Sequence, residues 1–284
     1  MLAESFKQRI LQLRDLPSLP DVAAQVLQVV DNPRASAATL SRAISLDPAL
    51  TARVLRQANS AIYGYSGRIG TVVQAVTILG FAQVRSQVLT ISILDVFSYL
   101  RGNQGFPYRQ FWEHCLSCAV VARLLARKTR ACPPEEAFVA GLLHDIGKLV
   151  LWRMADEEYG SVIRQAGETE CALADAEQEV FGFTHAAVGS WAAERWRLPG
   201  PLVEALAHHH DTELCNEPAI WLCQCVRAAD IRINDEEFGW SGNGVFPSLT
   251  GANAFEDAAQ ALCPETLAQE IDAAREVLDF SDLA

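Results

Sequence analysis

The chain has 284 residues, is 50% hydrophobic and 20% charged, and carries a net charge of −12 with a pI near 4.9. This is enough apolar sequence for one large domain or two modules with cores of their own. No run of 18 apolar residues occurs, so no transmembrane helix and no membrane partner are expected. The acidity argues against nucleic-acid binding along the whole chain.

The N-terminus, M-L-A-E-S-F-K-Q-R-I-L-Q-L, mixes charges at helical spacing and lacks the apolar core of a signal peptide, which predicts a cytoplasmic location. Asp21, after Pro20, opens the apolar-periodic V-A-A-Q-V-L-Q-V-V. Ser36 is placed to cap A-A-T-L-S-R-A-I-S-L, and Asp47-Pro48 to cap and start A-L-T-A-R-V-L-R-Q-A. A Gly/Tyr/Ser loop is expected from Asn59 to Gly70. Thr71 then caps V-V-Q-A-V-T-I-L, which Gly80 ends. A longer helix follows from about Phe81 to Tyr99.

R-G-N-Q-G-F-P, residues 101–107, is the clearest break. Helices are predicted beyond it at roughly 108–128, 135–154, 156–166, 171–181, 185–196, 201–210 and 218–235. The Gly/Ser/Asn-rich stretch Glu237 to Gly251 reads as a loop, and the tail from Asn253 as one or two more helices. No β-alternation or internal repeat is found, so the fold class is all-α. The organisation read from this pattern is an N-terminal helical module over 1–106, a second helical module over 107–236, and a loop-and-helix extension over 237–284.

Charge and histidine follow this division. Residues 1–113 hold 11 Lys+Arg against 7 Asp+Glu, while residues 114–284 hold 12 against 28 and all six histidines. In the second part, polar residues interrupt apolar helical runs at His114, at His144 and Asp145, at His185, at His208 to His210, and at Asp230. Each group sits on a different predicted helix, and helices of a bundle can aim such residues at one interior point. Neutral imidazole and carboxylate bind Zn, Fe or Mn. An Asp beside a His can bridge two metals and so help clamp a phosphoryl group. Lys148, three residues after Asp145, falls on the same helical face and could hold a phosphate oxygen. A single histidine in an apolar helix is ordinarily a hydrogen-bonded core residue; five such helices together point to a site.

Eight cysteines at irregular spacings, several within apolar helical runs, are expected to be free thiols rather than bridges. Cys115 and Cys118 form a C-x-x-C, and Cys223 and Cys225 a C-x-C. A zinc or redox site built from these four is one reading; small buried core residues is the other.

Several segments resemble one family. L-P-S-L-P-D-V (16–22), I-S-L-D-P-A-L-T-A-R-V-L-R-Q-A-N-S-A-I-Y (44–63), T-V-V-Q-A-V-T-I-L-G-F-A-Q-V-R (71–85), H-D-I-G-K-L-V-L, H-A-A-V-G-S-W-A-A-E-R-W-R-L-P and A-L-A-H-H-H-D follow the order of HDOD domains, the HD-related output domains of bacterial signalling proteins. The resemblance covers roughly residues 10–235. It implies a helical bundle packed on a region like the HD phosphohydrolase core, acting as an output or scaffolding module with a protein partner. The ligand order of the HD phosphohydrolases, including the HD-GYP cyclic-dinucleotide phosphodiesterases, is His, His-Asp, His, His-His, Asp. It falls here on His114, His144, Asp145, His185, His209, His210 and Asp230, with Lys148 as the phosphate-contacting lysine and His208 outside the set. If the chain is catalytic, the resemblance gives Asp145 and Lys148 the central roles, on a divalent metal such as Fe, Mn or Zn and a nucleotide or phosphate ligand.

Two departures separate the chain from the phosphodiesterases. Gln110 stands four residues before His114, where those enzymes tend to have Glu, and the G-Y-P signature is missing after His210. Three functions are therefore carried forward: a signalling or scaffolding module that retains a metal, a metal-dependent phosphohydrolase, and a thiol-based module. A partner or anionic-ligand surface is expected on the basic module, around Arg53, Arg56, Arg85 and the loop A-N-S-A-I-Y-G-Y-S-G-R-I.

Overall fold

The computed structural model describes residues 18–30, 35–59, 68–100 and 105–277. Among them every regular element is a helix. The described residues divide into two compact units: one holds Leu100 and 105–263, and the other holds the described part of 18–99 together with 264–277.

The second of these begins with α1 (Asp21–Val30), α2 (Ala37–Ile44) and α3 (Pro48–Ala58). Ser36 accepts the Thr39 amide at the start of α2, and Asp47 accepts the Ala49 and Leu50 amides ahead of Pro48. In α4 (Val72–Leu79) the Thr71 hydroxyl and the Gln74 side chain close a reciprocal cap, and Gly80 ends the helix. The next helix, α5 (Phe81–Val96), is buried at every residue from Ser86 to Leu94 and packs against α1, α3 and α4. Taken together, α4 and α5 are apolar enough to match a broken membrane span. They bend by 119°, however, and no single helix among the described residues is long and apolar enough to cross a membrane. Arg53 of the expected basic surface is tied to both carboxylate oxygens of Asp95 at 2.6 Å. Most of the loop expected beside it, residues 60–67, lies outside the described residues.

The first unit is built on α6 (Tyr108–Thr129), which packs along α7 (Pro134–Leu143), α13 (Ile220–Asp235) and α14 (Ala254–Gln260). Trp112, Phe111 and Leu116 on α6 are fully buried. Between α7 and α13 run α8 (Ile146–Met154), α9 (Asp156–Glu168), α10 (Leu173–Phe181), α11 (His185–Arg195) and α12 (Gly200–His208). Helix α11 packs on α8 and α12. The final helix, α15 (Pro264–Val277), belongs to the other unit.

Two expectations are corrected. The single helix predicted over 135–154 is two helices, α7 and α8, broken at His144–Asp145. The Lys148 amide bonds back only three residues to Asp145 O, at 2.9 Å, so the axis turns there. A close tertiary contact accompanies the break: Gly147 is pressed against the α11 backbone, where a Cβ would lie 1.9 Å from His185 O. The cysteines are not all free either. Cys215, after the 3₁₀ turn Thr212–Leu214, is bonded to Cys223 in the first turns of α13. Chain reversal before α13 juxtaposes two residues whose spacing alone did not suggest a pair. Cys115, Cys118, Cys132, Cys171 and Cys225 are free thiols.

Candidate metal centre

The helix break falls on His144 and Asp145, two consecutive residues that are 0% and 1% exposed. Around them converge His114 from α6, His185 from the first turn of α11, His209 and His210 from the end of α12, and Asp230 from α13. The seven residues form two groups. His114, His144 and Asp230 stand with Cys118, and Asp145 stands with His185, His209 and His210. Within each group the ligand atoms all lie within 4.8 Å of one another.

Asp145 stands between them. Its Oδ2 is 3.3 Å from His144 Nε2 and 3.9 Å from His114 Nε2, while its Oδ1 is 3.2 Å from His185 Nε2 and 3.8 Å from His209 Nε2. Asp230 Oδ1 lies 3.1 Å from His114 Nε2 and 3.7 Å from His144 Nε2. His185 and His210 bring their Nε2 atoms to 2.9 Å. Two imidazole nitrogens that close must share a proton or a cation.

The rings are oriented from behind. His144 Nδ1 meets Gly141 O at 2.8 Å and His209 Nδ1 meets Leu206 O at 2.9 Å, each a carbonyl one turn back. A carbonyl only accepts, so each Nδ1 carries a proton and Nε2 is the ring nitrogen turned toward the cluster. His185 Nδ1 lies 2.7 Å from Glu177 Oε2, which also accepts the His185 amide, while Glu177 Oε1 accepts the Tyr159 hydroxyl at 2.6 Å. Asn234 donates to Asp230 Oδ1 at 2.8 Å.

Despite this support, His144 Nε2, His209 Nε2 and Asp145 Oδ1 are buried atoms with no hydrogen-bond partner. Buried polar atoms rarely stay unsatisfied without a functional reason. A divalent cation is what this donor set would satisfy.

The electrostatics are those of a cation well. Burial works against ionising Asp145 and Asp230, but His144 and Lys148 around the first, and His114 and His144 around the second, hold both carboxyls well below the usual range. Burial likewise opposes charge on His144, yet Asp145 and Asp230 push it up to about 10. On the other side burial and the neighbouring His185 bring His210 down to about 3, and burial with His210 lowers His209. Burial, then Asp230, raises the Cys118 thiol. At neutral pH the carboxylates thus remain charged and His209 and His210 neutral, as ligation requires, while a metal would have to displace the proton that Asp145 and Asp230 hold on His144.

Lys148 is 1% exposed and donates at 2.6 Å both to Asp145 Oδ2 and to the carbonyl of Ser241. Ser241 belongs to the irregular stretch after α13. That stretch packs onto α6: Trp240 N donates to Gln110 O at 3.0 Å, and the Trp240 ring meets Phe106 edge-on at 5.4 Å. Its next residues, Asn243, Val245 and Phe246, line a cavity of about 200 Å³ together with His209, His210, Arg227 and Asp230. Arg227 is fixed by donating to the His210 carbonyl.

His208 points elsewhere, 3.7 Å from Glu204. The four-cysteine site does not form: Cys223 is bonded to Cys215, and Cys225 donates to Ala122 O at 3.2 Å. Sequence reading missed Cys118, Glu177, Asn234 and Ser241 as parts of this centre. Only Cys118 and Asn234 carried a signal, each one turn beyond a named residue.

An all-helical protein with a buried histidine–aspartate centre is the class that fold and site define. The chain belongs to the HDOD domain family, whose model matches residues 16–212. An HDOD domain protein of unknown function from Geobacter sulfurreducens is 26% identical and superposes with a TM-score of 0.77 over 95% of this chain and 98% of that one. A protein provisionally called a phosphohydrolase, from Shewanella amazonensis SB2B, is 25% identical with a TM-score of 0.72 over 98% of each chain. An uncharacterized protein of Treponema pallidum (strain Nichols) is 24% identical over 233 residues, 82% of this chain; the chain spans 44% of that relative's length.

The orienting role of Glu177 is testable. Its two oxygens accept three donors, so in Glu177→Gln the amide nitrogen must face one of them. Metal affinity, measured by competition with a chelator, is expected to fall about 10–100-fold. Unchanged affinity in a folded variant would remove Glu177 from the centre.

Proposed function

We propose that the chain is a signal-transduction output module of HDOD type that works through a protein partner and holds a divalent metal, Fe, Mn or Zn, in its His/Asp cluster. The observation that carries the metal is the convergence of buried His and Asp ligand atoms in two groups, among which His144 Nε2, Asp145 Oδ1 and His209 Nε2 make no hydrogen bond and face only one another and the rest of the cluster. Bound divalent ions would supply Lewis-acid charge there. Around them His144 and His209 present fixed Nε2 atoms, and Asp145 offers one oxygen to each ligand group. Lys148 is committed inside the chain, to Asp145 and the Ser241 carbonyl, rather than presented to a ligand. This favours a structural and regulatory use of the centre over turnover.

The cavity beside His209, His210 and Asp230, with Arg227 on its wall, favours a second reading, a metal-dependent phosphohydrolase acting on a nucleotide or other phosphate ester. The test is hydrolysis of phosphomonoesters, phosphodiesters and cyclic nucleotides by protein loaded in turn with Fe, Mn and Zn. No turnover is expected. Turnover that disappears in both His144→Ala and Lys148→Ala would establish the second reading instead.

A further inference from the structure

Cys118 sits one turn after His114 on α6, fully buried, with its Sγ 3.6 Å from His114 Nε2. It is one of the four residues whose ligand atoms cluster with His144 and Asp230. We infer that Cys118 is a metal ligand, completing a His114–Cys118–His144–Asp230 set. This rests on the metal-binding reading above and narrows it.

Three observations carry the inference. The first is distance. In a tetrahedral site with nitrogen and oxygen ligands at about 2.0–2.1 Å and sulfur at about 2.3 Å, an N···S pair is separated by about 3.5–3.6 Å and an N···N or N···O pair by about 3.3–3.4 Å. The pairs here measure 3.6 Å for Cys118–His114, 3.1 Å for His114–Asp230 and 3.7 Å for His144–Asp230. The second is the buried Nε2 of His144, which has no hydrogen-bond partner and belongs to the same group. The third is contrast among the thiols. Cys115 is equally buried on the same helix but is not part of the cluster, and Cys225 hydrogen-bonds a backbone carbonyl, whereas the hydrogen-bond contact of Cys118 is to a ligand nitrogen of the cluster, His114 Nε2.

The chemistry is ligand exchange without redox change. The Sγ–H bond breaks, the proton leaves to solvent, and the sulfur lone pair forms the metal–sulfur bond, so metal uptake releases a proton from this residue. A thiolate biases this half of the centre toward Zn or Fe and away from Mn or Mg, which prefer oxygen ligands. The other half, Asp145 with three histidines, carries no sulfur, so the two halves differ in softness.

Titration of the full chain with Co(II), followed by absorption spectroscopy, tests this. Wild type and Cys115→Ala are expected to show visible ligand-field bands together with a near-ultraviolet sulfur-to-cobalt charge-transfer band. Cys118→Ser is expected to keep ligand-field bands from the histidine-rich half and lose the charge-transfer band. Ligand-field bands without charge transfer in wild type would overturn the inference and leave the metal-binding reading intact. No cobalt bound by wild type would overturn both. Should Cys118→Ser fail to fold, X-ray absorption of the zinc-loaded wild type decides: a sulfur scatterer at about 2.3 Å is expected, and nitrogen and oxygen scatterers alone would contradict it.

Discussion

Asp145→Asn is expected to empty both halves of the centre at once. Its two oxygens face different groups, Oδ2 toward His144 and His114 and Oδ1 toward His185 and His209. An amide keeps one oxygen, and its NH₂ must then point at an imidazole nitrogen or at the Lys148 ammonium 2.6 Å away. Metal content should fall to background. Fold stability should fall too, because the buried Lys148 ammonium would lose its carboxylate counter-ion and be left with neutral oxygens. Breaking a buried ion pair from one side costs about 3–5 kcal/mol. Elemental analysis and urea unfolding measure the two effects. His208→Ala is the control: that ring pairs with Glu204 away from the cluster, and neither quantity should change. Retention of metal in a folded Asp145→Asn protein would contradict the bridging position.

Gly147→Ala is expected to have the next largest effect, through packing alone. A methyl there would lie 1.9 Å from His185 O and 2.8 Å from Gly189 N, both backbone atoms that no side-chain rotation can move. Helices α8 and α11 would have to separate, displacing His185 from Asp145. Overpacking of this kind typically costs about 1–3 kcal/mol, and rigid backbone on the far side places this case at the upper end. Gly167→Ala makes the comparison sharp. It lies within α9, with nothing within 4 Å of the added methyl. There alanine should stabilise by about 0.5–1 kcal/mol, because glycine is the poorer helix former. Denaturant midpoints of opposite sign for the two glycines are expected. Equal, small changes would show that α8 and α11 are not in close backbone contact.

The all-helical fold was legible because apolar periodicity and caps agree locally, as at Ser36, Asp47 and Thr71. The cluster was legible because histidine and aspartate in apolar helices are costly unless partnered, and all seven named residues do meet. The break at His144–Asp145 was not legible, since the segment keeps an apolar, helix-compatible pattern on both sides of it. The contact that accompanies it, of Gly147 with the α11 backbone, comes from some 40 residues onward. Glu177 was hidden for the opposite reason: it stands in an acidic stretch, E-Q-E, where a solvated face is the ordinary reading, yet it is fully buried under Tyr159 and His185. Ser241 acts through its carbonyl, which any residue could supply, so its identity carried no signal. Cys118 was read with Cys115 as a C-x-x-C pair, but helical geometry joins it instead to His114, four residues back.

The most direct measurement is metal stoichiometry by native mass spectrometry and elemental analysis, on protein purified without chelator and then offered Fe, Mn and Zn in turn. With two ligand groups in the cluster, two equivalents of metal per chain are expected in wild type, with loss from the group that contains His144 in His144→Ala. A folded wild-type protein that takes up none of the three metals would contradict the reading of this cluster as a metal centre.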